Sequence, residues 1–444
     1  MFQRTLLLLR CRLPEGVRYS RALRSLTAVM LTGRALLTRD PALRLCLLGR
    51  AYAFAEHSFL WDSIATAVEL TCKGRTEAQL DWRNTPSAEQ YNRWLKASPE
   101  IGRTTLAKAP GANGEKGLIM STFEYNWLHM MLDPNVFRAL CADFHIILST
   151  SWSATDYHIL ALALVMAPDT TFFVQPCSLA ERDKIEKFHP RLRALETMPC
   201  DWLNPEFFPQ PKPEERDIDL LVVSNWAPFK RHWALFNALR GLPASLRVVC
   251  VGQPDTGRTL DDIRRLKKQL GAPQEIEFLE RLPIEKVSAL QCRTRVAVIL
   301  SLWEGCCVAA AEGLMGGAPL AMCRDAHVGP LAYIDDTTGF VLSRMPTSEQ
   351  FAHALARASE MQPRAFAESR LSYLVSTRSL NERLKAHELA AGRPWTQDLA
   401  PLYWRPHPKI ASEEDRQRLA PAFADLHQRF PGVFPANMQE VSYQ

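Results

Sequence analysis

Short apolar runs alternate with longer stretches of helix-spaced apolar residues along most of this chain. Residues 117–122, 144–148 and 171–174 read as strands, with helices predicted over 125–141 and 156–166. The alternation resumes more clearly later, with strands predicted over 219–223, 246–252, 275–279, 296–300 and 339–342. Apolar runs of four to six residues separated by helical stretches predict a parallel sheet covered by helices. Residues 51–115 look largely helical and read as an elaboration of the first domain. Between the halves, residues 204–213 hold Pro205, Pro209, Pro211 and Pro213 in a polar context. Such a stretch cannot continue a helix and reads as a hinge. Beyond 348 the pattern turns helical, then rich in Pro and Trp, and no short-period repeat is present. The expected division is 1–206, 207–348 and a helical tail over 349–444.

The first 50 residues change this picture. They contain ten arginines, no lysine, and only Glu15 and Asp40 as acids. One reading is a basic face for an anionic membrane surface. Another is a transit-type presequence, which is Arg-rich and acid-poor. A third makes residues 5–9 the first strand, 13–16 a loop and 17–30 the first helix of a nucleotide-type fold. The third is preferred, with a membrane-facing basic surface as an addition. The four-leucine run is too short for a secretory signal.

Composition otherwise sets limits. The 444 residues suffice for two or three domains, and a net charge of +5 does not by itself indicate a nucleic-acid partner. The eleven cysteines are scattered without Cys-x-x-Cys spacing, which predicts a reduced, cytoplasmic setting and no zinc site. No segment has the roughly 18 apolar residues of a membrane span.

The densest chemistry lies in residues 301–320. Glu304 and Glu312 stand eight positions apart, the first beside Gly305 on a turn, the second inside a small-residue helix predicted to start near Cys306. The first N–H groups of a helix lack intrahelical partners, and the dipole adds positive potential, so the N–H groups around Cys306, Cys307 and Val308 suit a phosphate. Gly305 would let the backbone approach a ligand closely. A carboxylate one turn further can accept hydrogen bonds from a diol, at about 1.5–3 kcal/mol each. Either glutamate alone would read as a solvated helix-end acid.

Several further segments occur in a set order with this one. They are residues 224–230, ending in Lys230; 246–252, ending in Gly252; 275–279; and 339–342. With the Ser-x-x-Glu-Gly run, the seven residues between the glutamates and the Gly317-x-Pro319 that follows, the stretch from 217 to 345 resembles retaining GT-B glycosyltransferases of family 4, the glycosyl transferases group 1. The resemblance implies an α/β fold of GT-B type: two doubly wound Rossmann-like domains facing across a cleft, with C-terminal helices returning to the first domain. It implies transfer of a sugar from a nucleotide diphosphate sugar, UDP- or GDP-linked, with retention and without a metal. Lys230 and Glu304 would be catalytic, Lys230 on the diphosphate and Glu304 on the donor sugar. Glu312 would bind the ribose, Arg281 and Leu282 the base, and Gly16 would admit the phosphates to the first domain.

Departures from the pattern are specific. Asn225 occupies the position of an arginine five residues before Lys230; Arg231 is a candidate to compensate, though it points elsewhere if Lys230 faces the cleft. The first-domain glycine pair is reduced to Gly16. The histidine expected after residues 144–148 is replaced by Ser149, Thr150 and Ser151, with His158 on the following helix and His145 within the strand. The acceptor stays open among a glycan, a lipid-linked sugar and a protein. A catalytically degenerate GT-B scaffold is the alternative, and an epimerase would need an acid/base pair that is not found.

Overall fold

The computed structural model describes residues 2–75, 80–96, 104–152, 154–210, 213–405 and 407–438. It divides into two compact units. One comprises residues 1–15 and 200–376, the other residues 16–199 and 377–444. The α/β class with two sheets of mainly parallel strands is as the apolar pattern predicts.

In the second of these units, strands β1 (Thr104–Lys108), β2 (Gly117–Thr122), β3 (Phe144–Ser149), β4 (Phe172–Gln175) and β5 (Leu192–Ala194) lie side by side in chain order. β1 is antiparallel to β2, and the remaining pairs are parallel. The helices Glu124–Met131 and Pro134–Asp143 cover one face, where Trp127 and Phe137 meet Phe172. The C-terminal helices return to this unit. Glu388 on the helix Tyr373–Ala390 accepts from His145 of β3 at 2.8 Å and from Arg393 at 2.6 Å.

In the first unit, β6 (Ile218–Val223), β7 (Val248–Gly252), β8 (Ile276–Glu280), β9 (Thr294–Ile299), β10 (Leu320–Cys323) and β11 (Gly339–Leu342) form an all-parallel sheet. Its order, β11-β10-β9-β6-β7-β8, is doubly wound. The order reverses between β6 and β9, and ligands of such sheets bind outside the carboxyl ends of the strands at that switch point.

Three expectations are corrected. Residues 5–9 are not a strand and residues 13–16 not a loop; both lie in α1 (Phe2–Arg18), which continues through Pro14 and Gly16. Leucine and arginine are strong helix formers, and Thr5 is the one β-branched residue of the run, against four leucines. The helix expected over 17–30 is divided between the end of α1 and α2 (Arg21–Leu37); α3 (Pro41–Phe54) and α4 (Ser58–Cys72) follow, so helices fill the chain well before residue 51. β1 lies in the region expected to be helical. The helix predicted over 125–141 is two helices, broken where Asp133 caps the second and Pro134 opens it. In the expected hinge, Asn204 caps a short turn at Pro205–Phe207, while residues 211 and 212 lie outside the described residues.

Candidate functional site

β9 delivers the chain to a buried loop, with Ser301, Leu302, Trp303, Glu304 and Cys306 all inaccessible. Two contacts fix its path. The Trp303 ring stacks on His327, with centroids 3.8 Å apart, and the Glu304 N–H donates to the His327 carbonyl at 3.2 Å. The helix begins at Val308, two residues later than expected, because Cys307 is still in the left-handed region at φ 50°. A non-glycine residue there costs on the order of 1–3 kcal/mol and is held only by its surroundings. No side chain caps this helix, and Cys307, Val308 and Ala309 are the accessible residues of the segment. The N–H groups at its start therefore have no side-chain cap among the described residues.

Lys230 reaches this loop from the single turn Pro228–Lys230 that follows β6. Its Nζ lies 2.5 Å from Glu304 Oε2, with both side chains largely buried. The other carboxylate oxygen, Glu304 Oε1, is buried and has no hydrogen-bond partner among the described residues. A carboxylate oxygen out of water with no donor is costly unless a ligand supplies one. Glu312 is half-buried on the helix, and Gln291 donates to its Oε2 at 3.1 Å. The Cys307 thiol is pushed well above its ordinary range by burial, with the Glu304 charge adding to it, so it stays protonated and is no nucleophile.

The neighbours of Lys230 are engaged elsewhere. Arg231 adopts φ 58° and turns into the core. There it donates to the carbonyls of Leu300 at 3.0 Å and Arg344 at 2.9 Å, and to Glu15 at 3.0 Å. Asn225 donates to Asp255 and accepts from the Ala227 N–H at 3.3 Å. Trp226 is fully buried, and its Nε1 donates to Glu280 at 2.6 Å. His232 is neutral: burial lowers its pKa to about 3, with Lys230 and Arg258 adding positive charge nearby. Arg258, after β7, is thus a second cation whose charge reaches His232, and no sequence motif marked it. Arg281 is exposed at φ 51°, and its N–H donates to the Gly252 carbonyl at 3.0 Å. Leu282 packs against the core cluster of Ile218 and Leu221.

The structure thus brings Lys230, Glu304 and the start of the Cys307–Val308 helix together, with Gly305 buried in the same loop. Gly16 stands apart. It lies inside α1 with no atom within 4 Å of a side chain built there, so it forms no strand-to-helix turn. His145 is committed to Glu388, and His158 is buried with neither ring nitrogen partnered among the described residues.

Residues 204–371 match the family model of the glycosyl transferases group 1. Among solved structures, the chain is similar to sucrose-phosphate synthase from Thermosynechococcus elongatus at 16% identity and a TM-score of 0.47, over 62% of this chain and 74% of that one. It is similar to HepE of Anabaena, solved in complex with UDP-glucose, at 13% identity and a TM-score of 0.46, over 59% and 77% of the two chains. A glycosyltransferase from Rickettsia africae is similar at 12% identity and a TM-score of 0.44, over 61% and 82%. No curated protein sequence matches the chain. The matched segment contains Asn225, Lys230, Arg281, Glu304 and Glu312.

Proposed function

We propose that this protein is a glycosyltransferase that moves a sugar from a nucleotide diphosphate sugar, with retention at the anomeric carbon. One observation carries the proposal: Glu304 holds the Lys230 ammonium on one oxygen and leaves the other buried without a donor. A sugar hydroxyl would supply that donor. The ammonium has three donor positions, so Lys230 would bridge Glu304 and the diphosphate and stabilise charge on the departing phosphate. The N–H groups of Val308 and Ala309 at the helix start would take the same diphosphate. Arg258 would supply the second positive charge that Asn225 cannot. Glu312 would hold the ribose, and Arg281 and Leu282 would border the base. No step in this scheme requires a metal. Acceptor choice is assigned to the unit containing residues 16–199, and a glycan, a lipid-linked sugar and a protein all suit the chemistry.

The test is incubation of the purified protein with UDP-, GDP- and ADP-sugars. A donor at about 100 times its Kd should add roughly 2.7 kcal/mol of stability, and slow nucleotide release should accompany it. Glu312→Ala should weaken donor binding at least about tenfold, the equivalent of one charged hydrogen bond. Unchanged affinity in that variant would refute the ribose assignment.

The second reading is a degenerate scaffold that binds a sugar nucleotide without turnover. It is favoured by Asn225, whose side chain is held by Asp255 where the resemblance leads one to expect a phosphate-binding arginine. Donor-induced stabilisation without nucleotide release, even with acceptor-containing extracts, would establish it over the transferase.

A further inference from the structure

The outward face of α2 is apolar where a surface helix should be polar. The helix RALRSLTAVMLTGRALL contains no carboxylate. Its buried residues are the small Ala28 and Ala35, which let it lie close on α3. Its large apolar residues point the other way: Leu23, Leu26, Val29, Met30, Leu36 and Leu37 are exposed by 44 to 87%. At about 100° per residue these six fall within an arc of roughly 140°. Gly33 lies in the same arc, facing open space. An apolar strip running the length of a helix marks contact with another surface.

Charge selects the surface. Arg21, Arg34 and Arg39 are exposed at the ends and border of the strip, whereas Arg24 is paired with Glu56. Glu15 and Asp40 are the only acids among the first 50 residues, against ten arginines. Glu15 is bound by Arg231, and Asp40 caps α3. A second copy of this face would bring arginine against arginine. An anionic lipid leaflet offers an apolar interior for the leucines and phosphates for the guanidinium groups. α1 repeats the pattern by itself, with Leu6, Leu9, Leu13 and Val17 exposed and Arg10 and Arg12 beside them. Among the described residues no helix is long and apolar enough to cross a membrane, so these helices would lie on one.

We propose that α2 is an interfacial helix that seats the protein on an anionic membrane surface, its leucine face inserted and its arginines on lipid phosphates. The proposal is independent of the donor-site reading. The experiment is flotation of the full chain with phosphatidylcholine vesicles, with and without phosphatidylglycerol. Binding is expected to the anionic vesicles, to be much weaker on neutral ones, and to fall as salt is raised. Leu26→Glu/Met30→Glu/Leu37→Glu should abolish it. Arg21→Gln/Arg34→Gln/Arg39→Gln should reduce it on the order of a hundredfold on anionic vesicles only. Both variants should keep the wild-type thermal transition, because Ala28 and Ala35 are untouched. Equal binding or none to the two vesicle types would overturn the proposal, as would binding that survives the glutamate substitutions. So would a concentration-dependent dimer in sedimentation equilibrium that Leu26→Glu dissociates, since the face would then be covered by a second copy.

Discussion

Replacing Lys230 by alanine is the most direct probe of the site, because it separates the stability of the loop from its chemistry. The ammonium lies 2.5 Å from Glu304, with side-chain exposures of 13 and 7%. The gross attraction at that distance is about 7 kcal/mol at an effective dielectric near 20. Desolvation of both groups offsets most of it. What remains after truncation is a buried carboxylate with neither oxygen partnered, a situation that costs about 3 kcal/mol. Lys230→Ala should therefore lower the unfolding free energy by about that amount. Glu304→Gln in the same background should recover at least about 1 kcal/mol, because it removes the stranded charge. The assay is urea unfolding of the four members of the cycle followed by tryptophan fluorescence. In the transferase reading, Lys230→Ala also lowers turnover by about a hundredfold, as loss of a donor to developing charge does. A Lys230→Ala protein within about 0.5 kcal/mol of wild type, or strictly additive effects, would refute the argument.

Two further predictions follow from burial and backbone packing. His158 and His232 are both held at a pKa of about 3 by burial, below the ordinary 6.5. Between those values the unfolded chain binds more protons, so stability is complete above pH 6.5 and is lost progressively as pH falls towards 3. From pH 7 to 5.5 each imidazole should cost roughly 1 kcal/mol; urea midpoints across that range check this, and a His158→Met protein should show a shallower slope. At the end of β7, a Cβ on Gly252 would lie 2.3 Å from the Ser224 carbonyl and 2.8 Å from the Trp226 ring. Gly252→Ala should therefore cost about 2 kcal/mol; thermal unfolding measures it, and an unchanged midpoint would show that the β6 and β7 ends are looser than this packing requires.

The doubly wound sheet was legible because its central strands carry consecutive buried apolar residues, Leu220 to Val222 in β6, Val248 to Val251 in β7 and Val296 to Ile299 in β9, between turn residues. The N-terminal misreading has the same origin. A run of four leucines has the length of such a strand, and length alone cannot separate it from one turn of helix. β1 failed in the opposite direction. Thr104, Thr105 and Lys108 read as polar, yet all five of its residues are buried. Lys108 is tolerated there because Glu115 meets it at 2.7 Å, and Thr396, far along the chain, holds Glu115 in turn. No local pattern encodes that rescue. The break between the helices at Asp133-Pro134 differs, since a capping acid followed by proline is a helix-start signal present in the sequence.

At the site, spacing and the family resemblance singled out Lys230, Glu304 and Glu312 as candidates, but could not say which cations remain available. Lys230 and Arg231 are adjacent, and their charges are equal on paper. The backbone separates them: φ 58° at residue 231 reverses the chain, so Arg231 enters the core and spends its donors on Leu300, Arg344 and Glu15. Those partners lie 69, 113 and 216 positions away. An arginine buried this way ties the ends of β9 and β11 to the turn after β6, which also carries Lys230. The arginine's charge is thereby removed from any ligand. If a diphosphate binds here, Lys230 must carry the first charge, and the second must come from a residue outside the motif. Arg258, whose charge acts with that of Lys230 on His232, is the candidate.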